Sequence, residues 1–390
     1  MLADLEELVV CESFSADHAA VGRSAEVVGA LGARLLGAEP ETIVVDGVTH
    51  LRWTFGTPRV LLIGHHDTVW PLGSLRSRPW SVTDGIARGP GVLDMKAGLV
   101  QMFHALASLP SPDGVCVLVN GDEEVGSPTS RHLVEETARR CAAAFVLEAA
   151  ADAEGTLKTA RKGTSRYEVV VHGRAAHAGQ EPDKGVNAAV EAAHQVLALT
   201  DLGSAVRADA THPVLGAATV TPTLLSAGSS RNTVPALARV SVDVRVPTEA
   251  AQHRVDELVR ALAPRTPGAR LEIRGGAGRP PLSPHSSAAL FALACRVAED
   301  LGQEPPGNTA VGGASDGNDT AAAGCLTLDG LGAVGGGAHA DTEHVDTTRM
   351  IPRTRLLAGL IARTMTLDRP APADAPLQAA DHQGGRSERR

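Results

Sequence analysis

The sequence predicts an α/β fold in two domains, with the second domain inserted into the first. Three observations support this expectation. The chain has 390 residues, which is more than one ordinary hydrophobic core accommodates. Its first part alternates strand-like and helix-like segments. Its middle part changes to the order strand, helix, strand, strand, helix, strand.

The first part begins with a predicted helix and continues with buried strands and amphipathic helices. Apolar runs predict strands at 59–64, 114–120 and 143–148. Apolar residues at helical spacing predict helices at 95–109 and 130–142. Because strands that alternate with helices pair in parallel, we expect a mainly parallel central sheet.

The middle part, residues 164–278, predicts an inserted ferredoxin-like unit of the order βαββαβ. The stretch GRPPL at 278–282 is typical of a return linker, and the helices and short strand that follow resemble the first part again. We therefore expect one domain made of residues 1–163 and 279–367. The tail at 368–390, rich in Pro, Ala and charged residues, is expected to be disordered.

Composition excludes several classes of protein. The chain is 43% hydrophobic without an apolar run of membrane-spanning length, and its acidic start lacks the pattern of a signal peptide, so we expect a cytoplasmic protein without a membrane partner. A net charge of -9 and few aromatic residues argue against nucleic-acid binding. Five scattered cysteines indicate reduced thiols, and Cys116, Cys141 and Cys295 are expected to be buried because they lie in apolar segments.

Polar residues cluster where predicted strands end. His65, His66 and Asp67 follow the first strand, and an acidic run at 122–124 follows the second. Glu148 closes the third strand. Asp94 lies just before a helix and His339 lies on a glycine-rich loop, so several distant loops are expected at one edge of the sheet, where α/β proteins bind ligands.

Each of these residues also has a simpler interpretation. Asp94 could cap the helix that follows it, the acidic run could be a solvated turn, and His65 and His339 could be ordinary loop histidines. Glu148 is harder to explain, because burying a carboxylate without a partner is costly. The shared position of all these residues at strand ends favours a single site.

Two histidines with three or four carboxylates form a mixed nitrogen and oxygen ligand set. Such a set suits Zn²⁺, with Co²⁺ and Mn²⁺ as alternatives. The surplus of carboxylates suggests two metals, held about 3.5–4 Å apart by a bridging acid.

Seven motifs in order resemble the M20 family of zinc peptidases and amidohydrolases. They extend over most of the chain and consist of HHDTV, GPGVLDMKAG, DEEVGS, the strand end at Glu148, GRAAHAG, RNTVPALARVSVDVR and GGAH. The sequence is most similar to the glutamate carboxypeptidase branch of that family, in the spacing from Glu148 to His177 and in the helix that follows.

The resemblance implies a catalytic domain with two Zn²⁺ ions, and roles for the clustered residues. Asp94 would bridge the two metals. His65 and Glu148 would complete one site, and Glu124 and His339 would complete the other.

The neighbours of these ligands would carry the chemistry. Asp67 would orient a ligand, and His66 would occupy a variable position without a ligand role. Glu123 would be the general base that activates the water between the metals.

In the family, the inserted domain dimerises and acts as a lid. The resemblance implies a homodimer in which His177 reaches the partner subunit's site and stabilises the oxyanion. Arg245 would bind the α-carboxylate of the substrate, and Asn232 would contact the substrate. Gly312 and Gly313 would line the pocket of the leaving group.

Three functions stay open at this point. The first is a hydrolase that cuts an amide next to a free carboxylate and releases a C-terminal amino acid such as glutamate from a small peptide or N-acyl amino acid. The second is an N-acyl-amino-acid deacylase, similar to acetylornithine deacetylases or aminoacylases, in amino-acid or specialised-metabolite biosynthesis. The third is a binding protein without turnover, which the complete set of expected ligands and Glu123 disfavours.

Overall fold

The computed structural model describes residues 1–366, so the tail predicted at 368–390 lies outside the described residues. Helices form where apolar residues recur at helical spacing, and several begin at a side-chain cap, such as Asp17 and Ser283. In chain order the α-helices of the described part are α1 (Leu2–Val10), α2 (His18–Leu36), α3 (Ala97–Ala107), α4 (Arg131–Arg139), α5 (Ala188–Asp209), α6 (Glu249–Arg260), α7 (Pro284–Asp300), α8 (Asp316–Ala322) and α9 (Thr347–Met365).

The strands of the described part form two large sheets and several small ones. In chain order they are β1 (Glu41–Val45), β2 (Val48–Thr54), β3 (Val60–His65), β4 (Ser81–Thr83), β5 (Ile86–Arg88), β6 (Val115–Asn120), β7 (Ala143–Val146), β8 (Leu157–Arg161), β9 (Gly163–His172), β10 (Thr211–His212), β11 (Gly216–Ala217), β12 (Thr219–Ala227), β13 (Leu237–Val246), β14 (Arg270–Ala277), β15 (Asn308–Val311), β16 (Leu326–Leu328), β17 (Gly335–Gly336) and β18 (His344–Asp346).

The central sheet has the order β1-β2-β6-β3-β7-β16. Strand β3 pairs in parallel with both β6 and β7, and β7 pairs in parallel with β16. The two outer strands β1 and β2 form an antiparallel hairpin, and β2 is antiparallel to β6. The α/β class and the mainly parallel sheet that the sequence predicts are therefore confirmed.

Helices cover both faces of this sheet. Side chains on β3 alternate between the faces, as they must on a strand. Val60 and Leu62 join the main core with α3, whereas Leu61 and Ile63 join a smaller core with α4. Because both faces are buried, β3 and β6 are apolar except at their last residues, His65 and Asn120.

A second sheet, built from residues 163–277, has the order β12-β13-β9-β14 and is antiparallel throughout. Helices α5 and α6 pack against it around a separate apolar core. This order matches the predicted ferredoxin-like unit within one residue of the expected bounds. We refer to residues 163–277 as the inserted layer. That the inserted layer behaves as a separate domain, distinct from 1–163 and 279–367, stays a prediction.

Two details differ from the sequence-based expectations. Strand β7 ends at Val146, so Glu148 lies two residues beyond the strand rather than on it. No disulfide joins any of the five cysteines, all of which lie within residues 1–366. Cys116, Cys141 and Cys325 are buried, whereas Cys295 on α7 is only partly buried.

Candidate metal centre

The clustered polar residues meet at the carboxyl ends of the parallel strands. His65 is the last residue of β3, and the turn with Glu123 and Glu124 follows β6. Gly121 makes the exit from β6 possible, since a Cβ atom there would lie 2.5 Å from the Thr49 carbonyl oxygen. The sheet therefore brings together residues that are far apart in the chain, as the crevice rule for open α/β sheets predicts.

His65 is buried and turns one ring nitrogen toward the carboxylates. Its Nε2 atom lies 3.2 Å from Asp94 Oδ1 and 3.7 Å from Glu148 Oε1. Its Nδ1 atom lies 3.0 Å from the carbonyl oxygen of Asp67, which fixes the ring. The ring of His66 turns away, with Nε2 3.1 Å from the Thr49 carbonyl oxygen, so only the first histidine of the pair faces the cluster.

His339 approaches the same cluster from the glycine-rich loop. Its Nε2 atom lies 3.1 Å from Asp94 Oδ2 and 3.2 Å from Glu124 Oε2. The backbone of His339 has a φ of 62°, a region that residues with a side chain rarely adopt. Asp94 thus lies between the two histidines with one carboxylate oxygen directed to each. It does not cap the helix that follows, because α3 begins only at Ala97.

The electrostatics of the cluster are those of a cation site. Hydrogen bonds with Asp94 and Glu124 raise the pKa of His339 to about 10. Burial alone would lower the pKa of His65, but neighbouring carboxylates, those of Asp67, Asp94 and Glu148, raise it well above its usual range. Excess negative charge is therefore concentrated here, and a bound cation would neutralise it.

The donor set fits divalent metal ions. Ligand atoms of His65, Asp94 and Glu124 lie within 4.8 Å of one another, as do those of His65, Glu123 and Glu148. Glu124 Oε1 is buried without a hydrogen-bond partner among the described residues, as expected for an oxygen that a metal would satisfy. Imidazole and carboxylate donors in this number suit Zn²⁺ and its common substitutes.

Asp67 lies behind the cluster and holds two of its parts. The side chain is fully buried, with Oδ1 accepting a hydrogen bond from the backbone N–H of Glu123 and Oδ2 accepting one from that of Glu124. The same carboxylate lies 3.4 Å from the Nδ1 atom of His65 and accepts a hydrogen bond from Ser15. Asp67 is therefore placed to orient both the histidine and the adjacent glutamate pair.

Glu123 is a buried carboxylate beside the cluster. Burial raises its pKa to about 8, although the positive charge of Arg279 opposes the shift. A carboxyl group with a pKa near neutrality can take and release a proton at physiological pH, which is what a general base requires.

Comparison with known proteins decides the family. The model of peptidase family M20/M25/M40 matches residues 61–363 of this chain. The chain belongs to this family. The M20 match spans every residue of the cluster described above.

Known M20 proteins resemble this one over nearly their whole length. The chain is 28% identical to carboxypeptidase G2 of Pseudomonas sp. (strain RS-16) over 377 residues, which is 93% of this chain and 88% of that protein. An M20 family metallo-carboxypeptidase from Sulfolobus solfataricus superposes with a TM-score of 0.75 at 17% identity, covering 94% of this chain and 99% of the other.

A second solved structure shares the fold. A dinuclear metal-binding M20 peptidase from Bacillus subtilis superposes with a TM-score of 0.61 at 16% identity, covering 94% of this chain and 98% of the other. Together with the family match, the cluster identifies this M20 protein as a metal-dependent hydrolase. No helix within residues 1–366 is long and apolar enough to cross a membrane. A cytoplasmic location stays a prediction.

A cleft between the central sheet and the inserted layer opens onto the cluster. Its lining includes Glu123, Glu124 and His339 from one side and Arg245 from the other. Arg245 is held in place by Asp243, whose two carboxylate oxygens accept hydrogen bonds from Nε at 2.8 Å and Nη2 at 3.0 Å.

The glycine loop predicted to bind the leaving group also reaches this cleft. Gly313 lies in its lining, and the carbonyl oxygen of Gly313 accepts a hydrogen bond from Arg161. Gly312 is exposed beside it, and a Cβ atom there would meet no neighbour within 4 Å. The loop is thus open on the side where a substrate would lie.

His177 and Asn232 lie together elsewhere on the inserted layer. The backbone N–H of Ala178 donates to the carbonyl oxygen of Asn232, and both side chains are on exposed residues. The Nδ1 atom of His177 accepts hydrogen bonds from the N–H groups of Gly179 and Gln180. Neither His177 nor Asn232 is among the residues that line the cleft in the described part of the same chain.

Two buried residues of the site, Glu343 and Arg279, were not predicted from the sequence. Glu343 accepts hydrogen bonds from the backbone N–H groups of Gly91, Leu93 and Asp94, so it holds the loop that carries Asp94. Arg279 forms an ion pair with Glu123. Glu343 could have been suspected only from its position four residues after His339, which is a weak signal for a site residue. Arg279 gave no such signal, because it lies in the stretch that is typical of a linker.

Proposed function

We propose that this protein cleaves an amide bond next to a free carboxylate and releases the C-terminal amino acid of a small peptide or N-acyl amino acid. The observation that carries this proposal is that Arg245 lines the same cleft as Glu123 and His339. A guanidinium group binds a carboxylate through two parallel hydrogen bonds. The cleft therefore combines a group that could anchor the substrate's carboxylate with groups that could break the neighbouring amide.

We propose Zn²⁺ as the metal, with Co²⁺ or Mn²⁺ as substitutes. His65 and Glu148 would hold one ion, His339 and Glu124 the other, and Asp94 both. When bound, two such cations polarise the scissile carbonyl and lower the pKa of a neighbouring water. The contacts of Asp94 with both histidines support its bridging role.

Glu123 would take the proton of the attacking water and pass it to the leaving nitrogen. Its burial and its pKa of about 8 support this role. Asp67 would keep the backbone of the glutamate pair in place through its two N–H contacts. Arg245 would hold the carboxylate of the substrate, so that the amide lies over the cluster.

Glutamate is the leaving group that the surroundings of Glu148 favour. Lys158 Nζ lies 4.0 Å and Arg161 Nη2 lies 3.9 Å from Glu148 Oε2. The Nη2 atom of Arg161 is buried and has no hydrogen-bond partner among the described residues. Arg161 is also paired with Asp329 at 2.7 Å, so Lys158 and the unsatisfied Nη2 donor of Arg161 are the groups that would attract an acidic side chain.

We propose a homodimer through the inserted layer, because His177 and Asn232 lie outside the cleft of their own chain. A partner subunit would then supply both residues. Strand β12 supports this arrangement, since it forms an edge of its sheet and carries Leu224 and Leu225, which are 70% and 56% exposed. An exposed apolar edge strand is a ready surface for pairing with a second copy.

The test is the release of amino acids by zinc-loaded protein from a matched panel. The panel varies the acyl group and the C-terminal residue separately, and the Glu123→Gln variant serves as the blank. We expect the rate to follow the C-terminal residue, with glutamate fastest, and to tolerate different acyl groups. A rate that follows the acyl group instead would identify a deacylase. No turnover with both metals bound would mean either that the substrate lies outside the class of the panel or that the protein binds its ligand without turnover.

A further inference from the structure

The chain crosses twice between the central sheet and the inserted layer, and the two crossing segments lie side by side. Arg161 and Leu282 exchange backbone hydrogen bonds of 3.0 Å in both directions. The N–H of Thr164 donates to the carbonyl of Arg279, and the N–H of Gly278 donates to the carbonyl of Thr164. We call these paired segments, 161–164 and 278–282, the crossing ladder.

Side chains from both sides hold the crossing ladder in place. From α8, Asn318 Nδ2 donates to the carbonyl oxygens of Lys162 and Pro280, one on each segment. From α6 in the inserted layer, Gln252 Nε2 donates to the carbonyl oxygens of Thr164 and Arg279. The ladder is therefore attached to both layers.

The side chain of Arg279 runs from the ladder into the candidate active site. It is only 5% exposed and uses all three of its nitrogens. Nη1 lies 2.5 Å from Glu123 Oε1, Nη2 donates to Ser127 and to Asp316, and Nε lies 2.9 Å from Asp319 Oδ2. A planar guanidinium holds such a set of diverging partners, whereas the single nitrogen of a lysine cannot.

The contact with Arg279 can determine the position of the Glu123 carboxylate, because the Glu123 side chain has few other restraints. The backbone N–H of Glu123 is held by Asp67, but the carboxylate lies at the end of a flexible side chain, within 4.8 Å of the ligand atoms of His65 and Glu148. A small displacement of that carboxylate would change its distance to the reacting water, and a misplacement of 1 Å can cost roughly 10²-fold in rate.

We propose that Arg279 is the positioning residue of Glu123, and that it ties the orientation of the general base to the crossing ladder. The proposal rests on the proposed function only in taking Glu123 as the base. A purely structural role is the competing explanation, since Arg279 also neutralises Asp316 and Asp319 in the protein interior.

The first test measures the contact without any turnover. Thermal unfolding of the metal-free protein is compared for Arg279→Met, Glu123→Gln and the double variant. We expect each single variant to unfold at a lower temperature than the wild type. The decrease in the double variant should be smaller than the sum of the two single decreases, by roughly 2–4 °C. The matched control is Arg353→Met, because Arg353 is equally buried but donates only to the carbonyls of Gly155, Gly330 and Gly332. The decrease in unfolding temperature caused by Arg353→Met should add to that caused by Glu123→Gln. If the decreases caused by Arg279→Met and Glu123→Gln are also additive, the proposal is overturned.

The second test separates positioning from packing in the zinc-loaded protein, with the best substrate of the panel. We expect Arg279→Lys to lower kcat roughly 100-fold with little change in KM or metal content. Guanidinium ions should restore part of the activity of Arg279→Ala and none in Arg353→Ala. An unchanged kcat in Arg279→Lys, or a loss confined to KM, would contradict the positioning role.

The two tests also separate this inference from the proposed function. If the wild type hydrolyses nothing in the panel, the proposed function fails, and the thermal coupling alone decides whether Arg279 holds Glu123. If Arg279→Ala does not fold, Arg279→Lys, which keeps the charge, decides the kinetic question.

Discussion

The loop that carries Asp94 depends on Glu343, and the substitution Glu343→Gln tests how strongly. Glu343 Oε1 accepts hydrogen bonds from the N–H groups of Leu93 and Asp94, at 2.9 and 3.1 Å. Oε2 accepts from the N–H of Gly91 at 3.0 Å and from the indole of Trp70 at 2.7 Å. A single buried carboxylate therefore satisfies four donors, three of them on the backbone around one proposed metal ligand.

The expected magnitude follows from these four bonds. Glutamine has the same shape, but one of its two acceptor oxygens is replaced by an NH₂ group. Two of the four donors would then face another donor, and each buried unsatisfied group costs about 1–2 kcal/mol. We expect Glu343→Gln to lower the free energy of unfolding by about 2–4 kcal/mol, and to weaken metal binding roughly 10- to 100-fold because Asp94 loses its support.

The assay is urea unfolding together with metal titration against a chelator. Glu12→Gln is the matched control, because Glu12 also accepts two backbone hydrogen bonds, from Gly73 and Leu75, on a loop that holds none of the proposed ligands. The control should keep the metal affinity of the wild type. Equal metal affinities in Glu343→Gln and Glu12→Gln would refute the argument that Glu343 supports the ligand loop.

Three further predictions concern the cluster and its partner residues. Glu123→Gln should lower kcat roughly 10²- to 10⁴-fold with metal content near wild type; loss of metal from that variant, measured by elemental analysis, would show that Glu123 is a ligand. Mixing His177→Ala with Glu123→Gln subunits should restore activity if His177 acts on the partner's site, and verified heterodimers without activity would contradict this. Metal affinity should rise with pH, since His339, with a pKa of about 10, and His65, with its raised pKa, must lose protons when metal binds. Calorimetry in buffers of different ionisation enthalpy should detect the released protons. A metal affinity that does not increase with pH would contradict this prediction.

Periodicity in the sequence is sufficient to predict the elements that form the core. Strands β3 and β6 are buried on both faces, so they appear as uninterrupted apolar runs, and the polar residues after them stand out. The chain order of strands and helices then predicts parallel pairing, which confines those polar residues to one edge. The neighbourhood of His65, Asp94 and Glu148 could be inferred from this pattern.

The hairpin of β1 and β2 also has a signal in the sequence, although the alternation of strands and helices does not indicate it. The hairpin of β1 and β2 turns at Asp46 and Gly47, whose φ values of 49° and 84° are both positive. An Asp-Gly pair between two apolar runs is typical of such a turn. The hairpin is therefore predictable from its turn residues, even though its outer strand β1 is largely exposed.

Contacts between distant side chains could not be predicted in this way. Arg279 and Glu123 are in contact although the whole inserted layer lies between them in the chain, and neither residue lies on a periodic apolar face. The stretch around Arg279 contains two prolines and a glycine, so its local chemistry indicates a linker. Only the tertiary structure reveals that the linker directs a charged side chain into the site.

The order of the candidate ligands along the chain has a consequence for how the protein matures. His65, Asp94, Glu124 and Glu148 are synthesised before the inserted layer, and His339 after it. Strand β16, which completes the central sheet beside β7, is likewise made only after the chain has returned. Closing such long-range contacts is slow in folding, because the intervening chain must first be ordered. A growing chain would therefore expose a pocket of carboxylates with one histidine until the last fifth of the protein has emerged, and stable metal loading would mark the completion of folding rather than begin it.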